Sequence, residues 1–573
     1  MTSSSLASSS PSLPCDNFSE GARTKQKRPV RAFVTHTPKW QRFQNRTVKA
    51  SQMASLKGKE NKTTKGLGRS GAVKSSEHEI IPYQRQYSHV YSYRLSALKD
   101  RVWKQLKTLS PPPNKSVRSV QRILELPENC LSDVVGTVIV ERMNANSDEN
   151  YYRDESLDEQ EDKQLHPKSA CRSCDQLYLE DESGRVAIRF GTGTETETNN
   201  DDQQQQQRNH VYQYCTGAVV GLRGTVDDRG TMHVQNIVNP VLVPPSSSSS
   251  SAANDDSESE PEALVPHLLL VSSLCCGDPD VSSLPREMLV SYLQGQFDAD
   301  NAAKVARVIV AGSGPGVAAV DDVTSSSSTL GLKEFDIWGL QVTRTAGIPL
   351  DIMPSATDPT SRNWPQRPLH SSLLPNTLRS NTTTTTAAAT GSGGSDNAGY
   401  HATAVPPPMA RMAPNPYEAI YGNKLVLGTD GLNVRDLQKH ILKPPPLPTD
   451  DDHKDSMDDL SSSSLPASPQ QLTELESLEQ TLRWAHLCPT GPSSENLGMV
   501  PSGDPMVMNR ATPDVYFCGN CDEGFQTKLL YYDHNNDHKK TRLICIPKFY
   551  EMGEAVLVNL QTLDVEVLKF KTN

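Results

Sequence analysis

The sequence predicts an α+β chain with two folded regions, a small antiparallel β-barrel followed by a layered α/β domain, set among long unstructured segments. Three observations lead there. The 573 residues are too many for one compact core. Only 35% of residues are hydrophobic, with 41 prolines and long Ser, Thr and Gln tracts and a mean hydropathy of −0.55, so about a third of the chain is expected outside any core. The pattern also changes midway: short alternating strands run to about Val243, and a strand-and-crossover rhythm begins near residue 264.

Residues 1–80 read as a disordered tail. Between Arg23 and Lys74 it holds fifteen Lys or Arg and one acid, Glu60. Lys25-Gln26-Lys27-Arg28 suits a nuclear import signal or a nucleic-acid contact, and equally an unstructured solubilising arm. Residues 81–243 open with a helix whose Tyr91, Leu95, Leu98, Val102 and Leu106 share one face, closed by Pro111–Pro113. Five strands follow: DVVGTVIVERM, DQLYLEDE, GRVAIRFG, AVVGLRGTV and TMHVQNIV, the last two joined by a turn at Asp227–Gly230. Five such strands suit a Greek-key barrel of the OB type. Insertions at Asn144–Lys168 and Thr192–Asn209 lengthen its loops and have disordered compositions. Residues 244–263 are a Ser- and acid-rich linker.

The α/β domain occupies 264–573, with inserts near 379–408 and 444–469. HLLLVSSL, ARVIVAG and IPLDIMP are its first strands, with a helix at Leu284–Gln296. A second helix begins at a capping box of Thr473 and Glu476 and places Leu475, Leu478, Leu482 and Ala485 on one face. RLICIPKF, AVLVNL and VEVLKF are the closing strands.

No apolar run approaches the roughly 18 residues needed to span a bilayer. The N-terminus lacks the basic start and apolar stretch of a signal peptide, so a reducing compartment is expected and the 11 cysteines are read as thiols. The net charge of −11 conceals acidic clusters at Asp148–Asp162, Asp255–Glu262 and Asp450–Asp459 set against the basic tail.

Five apolar strands of the α/β domain run into turns: VSSLCCG (271–277), VIVAGSGPG (308–316), DIMPSATDPT (351–360), LVLGTDG (425–431) and VYFCGNCDEGF (515–525). This frame resembles that of the binuclear metallophosphoesterases, which hold two divalent ions about 4 Å apart on Asp, His and Asn at strand ends. By that resemblance the first Asp and His of the frame fall at Ser273 and Cys275, and the Gly-Asp motif at Gly312-Ser313. Gly-Asn-His-Asp falls at Ser355-Ala356-Thr357-Asp358, a lone His near Thr429, and Gly-His-x-His at Gly519-Asn520-Cys521-Asp522. Only Asp358 keeps a carboxylate familiar from the family, in its third motif, and one acid cannot hold two ions. The resemblance therefore implies a calcineurin-like phosphoesterase α/β sandwich that is inactivated, with no catalytic, cofactor-binding or metal-binding residue.

A longer resemblance rests on QRQYSHVYSYRL, VARVIVAG, IPLDIMPSATDPTSRNWPQRPLH, NPYEAIYGNKLVLGTDGLNVRDL, LRWAHLCPTGP, DPMVM and PDVYFCGN, taken in order. The chain is similar to the small noncatalytic B subunits of the eukaryotic replicative DNA polymerases over roughly Ile81 to the C-terminus, inserts excepted, and the delta branch fits best. The departures are the first 80 residues, the insert lengths, and the two cysteines of LLLVSSLCCG where the family has a glycine-rich turn. The resemblance implies a nuclear scaffold for replication and repair synthesis. Its barrel and sandwich would receive the cysteine-rich C-terminal domain of the delta catalytic subunit, and a further accessory subunit would reach the sliding clamp. DNA would be met mainly through the complex, with no membrane. The alternatives are a B subunit of the alpha or epsilon polymerase and, from another class, an active metal-dependent phosphoesterase or nuclease.

Other motifs receive plainer readings. Cys171/Cys174 and Cys518/Cys521 have zinc-ligand spacing but fall in different domains, and are read as unpaired thiols. Asp533, His534, Asp537 and His538 are read as a solvated loop between Leu530 and Arg542, and His89 is assigned no role. The barrel strands offer mainly Tyr178 and Phe190 for base stacking beside an acidic insert, which favours protein contact over single-strand binding.

Overall fold

The computed structural model describes residues 88–113, 116–141, 175–190, 212–243, 266–316, 326–361, 363–379, 409–443, 470–494, 504–508, 511–534 and 537–570. The tail 1–80, the barrel insertions, the linker 244–263, and the inserts near 379–408 (Arg379 apart) and 444–469 lie outside the described residues.

Helix α1 (Ser88–Thr108) buries Leu95, Leu98, Val102 and Leu106, as its apolar stripe predicts, and also Arg94 and Arg101. The barrel follows as β1 (Arg118–Ser119), β2 (Ser132–Glu141), β3 (Gln176–Glu180), β4 (Arg185–Phe190), β5 (Val219–Val226) and β6 (Thr231–Val238). β2 pairs with β3 and β3 with β4, β4 runs parallel to β6, and β5 pairs antiparallel with both β6 and β2. That closure is the Greek-key order expected of an OB barrel. Alternate residues face inward: Val134, Val138, Leu177, Leu179, Val220 and Leu222 form its core, which Leu437, Ile441 and Trp484 of the second region plug. α1 packs on β5 at Gly221, where an added Cβ would lie 2.6 Å from Val102. Arg223 of β5 holds Asp133 through two bonds of 2.7 and 2.9 Å and donates to the carbonyls of Leu109 and Ser110. It thereby ties the segment that follows α1 to the barrel.

The second region is four-layered. Its elements are β7 (His267–Val271), α2 (Leu284–Leu293), α3 (Ala299–Lys304), β8 (Val305–Ala311), α4 (Ser326–Leu340), β9 (Leu350–Met353), α5 (Pro375–Arg379), β10 (Ala410–Met412), β11 (Tyr417–Tyr421) and β12 (Lys424–Thr429). They continue with α6 (Leu432–His440), β13 (Leu442–Lys443), β14 (Gln470–Gln471), α7 (Glu474–Arg483), β15 (Val515–Cys521), β16 (Gln526–His534), β17 (Asp537–Pro547), α8 (Phe549–Met552), β18 (Glu554–Asn559) and β19 (Val565–Lys569). One sheet has the order β10-β9-β8-β7-β18-β19 and the other β11-β12-β15-β17-β16. Leu268, Leu270, Ile309 and Met353 of the first meet Tyr417, Val426, Phe517 and Ile544 of the second. The alternate residues Leu269, Val271, Val308 and Val310 pack outward on Leu289, Leu293, Phe335 and Trp338 of α2 and α4. Strands covered on both faces need continuous apolar runs, and HLLLV and VARVIVA supply them. α7 and α1 share the cluster on the outer face of the second sheet.

The capping box of α7 forms with both of its bonds, Thr473 N–H to Glu476 Oε2 (2.9 Å) and Glu476 N–H to Thr473 Oγ1 (3.2 Å). One expectation is corrected. Asp533, His534, Asp537 and His538 are not a loop: β16 and β17 form an antiparallel hairpin in which Asp533 pairs with His538 and His534 with Asp537. β16 is the edge strand of its sheet and pairs with β17 alone.

Candidate functional site

The five turns singled out in the sequence converge. β7, β8 and β9 are parallel neighbours in one sheet, and β12 and β15 are parallel neighbours in the other, so their C-terminal ends open at the same end of the sandwich. Hydrogen bonds knit them together. Ser273 Oγ donates to Asn520 Oδ1, and Asn520 Nδ2 donates to the Asp430 carbonyl (2.9 Å). Ser313 N–H donates to Ser355 Oγ (3.1 Å) and Asp358 Oδ2 (2.9 Å), and Ser313 Oγ lies 2.9 Å from Ser355 Oγ and 3.0 Å from Thr357 Oγ1. Ala356 N–H donates to Asp430 Oδ2 (3.2 Å), which ties the two sheets. Ser273, Cys275, Ser313 and Asn520 all have positive φ, between 46° and 55°. Non-glycine residues rarely adopt that conformation, and four at adjoining strand ends are turns held by their surroundings.

Two carboxylates line this floor, not the single one expected. Asp430 of LVLGTDG joins Asp358, while Thr429, the position taken for the lone His, is turned away and donates to Asn433 Oδ1 (2.8 Å). Both acids serve backbone: Asp358 Oδ2 accepts from Ser355 and Ser313 N–H, and Asp430 from Ala356 and Leu432 N–H. A binuclear centre needs several converging imidazole and carboxylate donors free to coordinate. Hydroxyls, one amide and two carboxylates, each with an oxygen engaged with backbone and no imidazole beside them among the described residues, do not fit one. Cys275 also sits at this end, its thiol pushed up to about 11 by burial.

Burial raises the Asp358 carboxyl to about 6, partly offset by the Ser355 and Ser313 N–H groups, and Asp430 raises it further. Its Oδ1 is buried without a hydrogen-bond partner. A carboxyl whose folded value exceeds its unfolded one binds its proton more tightly in the native state. The stability this supplies is full below the unfolded value near 3.8 and is lost as pH rises through about 6. Ionisation at neutral pH then costs about 3 kcal/mol. Asp358→Asn keeps an acceptor for the amides and removes the charge. It is expected to gain about 1–3 kcal/mol at neutral pH and to flatten the decline in stability across the folded value. Urea unfolding at a series of pH values reads this, and a variant less stable than wild type at neutral pH would contradict it.

The remaining sequence candidates scatter. Phe190 is buried and stacks on Tyr214 at 6.1 Å, so it is not a surface platform. Tyr178 lies under the Arg185 guanidinium at 4.7 Å. Cys171 and Cys174 lie outside the described residues. His89 is part of α1. Cys518 and Cys521 turn away from the floor into the core with Cys545, and Asp522 pairs with Lys548.

Sequence reasoning missed a clasp between the two folded regions. Arg94 of α1 donates to Asp504 Oδ2 (2.8 Å), to the Gly217 carbonyl of the barrel (3.0 Å), and to the Pro489 (2.7 Å) and Gly491 (2.6 Å) carbonyls of the sandwich. Gly217 has φ +99, and a Cβ there would lie 2.1 Å from Pro489 O, so only glycine lets the segments approach.

The described residues thus form an OB barrel locked through one helix to a four-layer α/β sandwich. Residues 268–527 match the family of DNA polymerase alpha/epsilon B subunits, and residues 86–237 match the DNA polymerase delta subunit OB-fold domain. The chain belongs to this family of B subunits of the replicative DNA polymerases. It is 27% identical to the DNA polymerase delta small subunit of Oryza sativa subsp. japonica, over 85% of this chain and 94% of that one. The protein of the same name from Arabidopsis thaliana is also 27% identical, over 85% and 92%, and that of Saccharomyces cerevisiae 24%, over 85% and 90%.

Proposed function

We propose that this chain is the noncatalytic small subunit of DNA polymerase delta, a nuclear scaffold for replication and repair synthesis. In this reading the sandwich is a calcineurin-like phosphoesterase fold that has lost its chemistry, and the domains divide as 81–243 and 264–573. The observation that carries it is the floor at the five strand ends: Ser273 bonds Asn520, Ser313 bonds Ser355, and Asp358 and Asp430 accept from backbone amides. Such a floor serves as rigid architecture. The names of the plant and yeast relatives support the delta branch. The barrel and sandwich together would receive the cysteine-rich C-terminal domain of the delta catalytic subunit. The barrel side would take a further accessory subunit that contacts the sliding clamp, and DNA would be engaged through the assembled enzyme.

Co-purification from nuclear extract is the test. Recovery of the delta catalytic chain is the expected result, and recovery of the alpha or epsilon catalytic chain in its place sinks the branch assignment. The convergence of Asp358 and Asp430 favours a second reading, a residual metal-dependent phosphoesterase. It predicts manganese-dependent hydrolysis of a phosphodiester that disappears in Asp358→Ala, whereas the scaffold reading predicts no turnover in either protein.

A further inference from the structure

Three thiols meet beneath the start of α7. Cys518 Sγ lies 3.4 Å from Cys521 Sγ and 3.7 Å from Cys545 Sγ, and all three sulfurs fall within 4.8 Å of one another. None is in a disulfide, and all are buried. The backbone arranges the meeting. In a regular strand, residues three apart point to opposite faces, yet Cys518 and Cys521 join Cys545 in one cluster. The β15–β17 pairing shifts register between Cys518 and Cys521, and Asn520 sits at φ +55, which turns Cys521 back to the side of Cys518. Cys545 is the register partner of Cys518 on the adjacent parallel strand. Above them, Glu474 at the first position of α7 accepts from Asp522 and Glu523 N–H (3.0 and 3.2 Å), pinning the helix over the Cys521 end of β15.

Thiolates held at about 2.3 Å from one ion, at tetrahedral or trigonal angles, stand about 3.8–4.0 Å apart. The two separations given above lie close to this and far above the roughly 2.05 Å of a disulfide. Soft thiolate sets select d10 cations. We propose that Cys518, Cys521 and Cys545 form a binding site for one thiophilic d10 cation, Zn2+ or Cu+. Binding releases the three thiol protons to solvent. Three thiolates complete a trigonal Cu+ site, and on Zn2+ they leave one position for a further donor. Because the site is buried, the ion loads as the second sheet folds or as its edge hairpin opens, and binding adds to stability. This site is separate from the floor at the strand ends and does not depend on the scaffold role.

The full chain is purified without chelator, or refolded with Zn2+ alone or with Cu+ under reductant, and its metal content is read by elemental analysis and native mass spectrometry. The expected result is one ion per chain, lost in Cys545→Ser. It is retained in Cys488→Ser, which changes a buried thiol elsewhere, and in the Cys171→Ser/Cys174→Ser double variant. The cation kept when both are supplied decides between Zn2+ and Cu+. A wild-type chain that remains metal-free under both regimes overturns the proposal. So does an ion kept in Cys545→Ser but lost with Cys171 and Cys174, or a Cys518–Cys521 disulfide in chains trapped by alkylation at lysis. Should Cys545→Ser fail to fold, Co2+ loading of the wild-type chain gives an independent reading. A thiolate-to-metal charge-transfer band supports the site, and its absence at full Co2+ loading refutes it.

Discussion

Asp351→Ala is expected to remove about 3–5 kcal/mol of stability, a large part of what holds a typical domain together. Asp351 is fully buried in β9 and accepts from Arg307 Nη1 (2.5 Å), Arg411 Nη2 (2.6 Å), Tyr417 OH (2.6 Å) and Tyr421 OH (3.0 Å). Register explains the geometry: Asp351 pairs with Arg411 on one side and Ile309 on the other, and Arg307 lies two residues from Ile309 on the same face of β8. Burial by itself would raise the Asp351 carboxyl, and the two guanidinium groups together with the Tyr417 and Tyr421 hydroxyls more than offset it, leaving it below its ordinary value. The stability contributed by the carboxylate is therefore present above about pH 4 and is lost as pH falls through the lower folded value. Alanine leaves two buried cations facing each other, with Arg307 Nε and Arg411 Nε already lacking partners. Asp351→Asn restores acceptor capacity without charge and should fall between alanine and wild type. The urea midpoint of the full chain measures both, and a loss below about 1 kcal/mol for alanine would show that the network contributes little net stability.

Arg94→Ala is expected to cost a similar amount, about 3–5 kcal/mol, and to do so by parting the barrel from the sandwich. The side chain is 1% exposed and bridges α1, the barrel turn at Gly217 and the sandwich loops at Pro489, Gly491 and Asp504. It also lies over the Tyr91 ring at 5.2 Å, and Tyr91 OH in turn bonds Ser493 Oγ (2.6 Å). Without it three carbonyls lose a donor. Asp504 still accepts from Met506 N–H (3.0 Å) and is paired with His486 Nε2 (2.8 Å), so the aspartate is not stranded. The expected calorimetric result is two transitions where wild type gives one. Arg94→Lys should rescue little, because an ammonium cannot present the planar fork that reaches four acceptors. A single transition in Arg94→Ala at the wild-type temperature would refute the clasp.

How far these features could be read in the sequence differs by element. The stripe Leu95, Leu98, Val102, Leu106 announced α1, but Arg94 and Arg101 on the same helix look like solvent-facing charge. They are buried because α1 is covered on two sides, by the barrel and by the second sheet. The strand-end turns were legible as a frame, since apolar runs ending in Gly, Ser and Asp mark parallel strands. Asp430 was hidden beside Thr429: a neighbouring pair in a turn gives no sign of which side chain enters the site and which caps the next helix. Cys545 carried no signal at all, because nothing local places β17 beside β15.

Local periodicity and turn chemistry, which depend on near neighbours, determined the helix at 88–108, the five barrel strands and the capping box of α7. Only the tertiary structure decided what those residues do. Sheet order and crossover geometry bring positions hundreds of residues apart to within hydrogen-bond reach, as with Ser273 and Asn520 or Arg94 and Asp504. The partners of a buried polar group are set by which strands become neighbours, and that is settled when the apolar faces of whole elements are buried together.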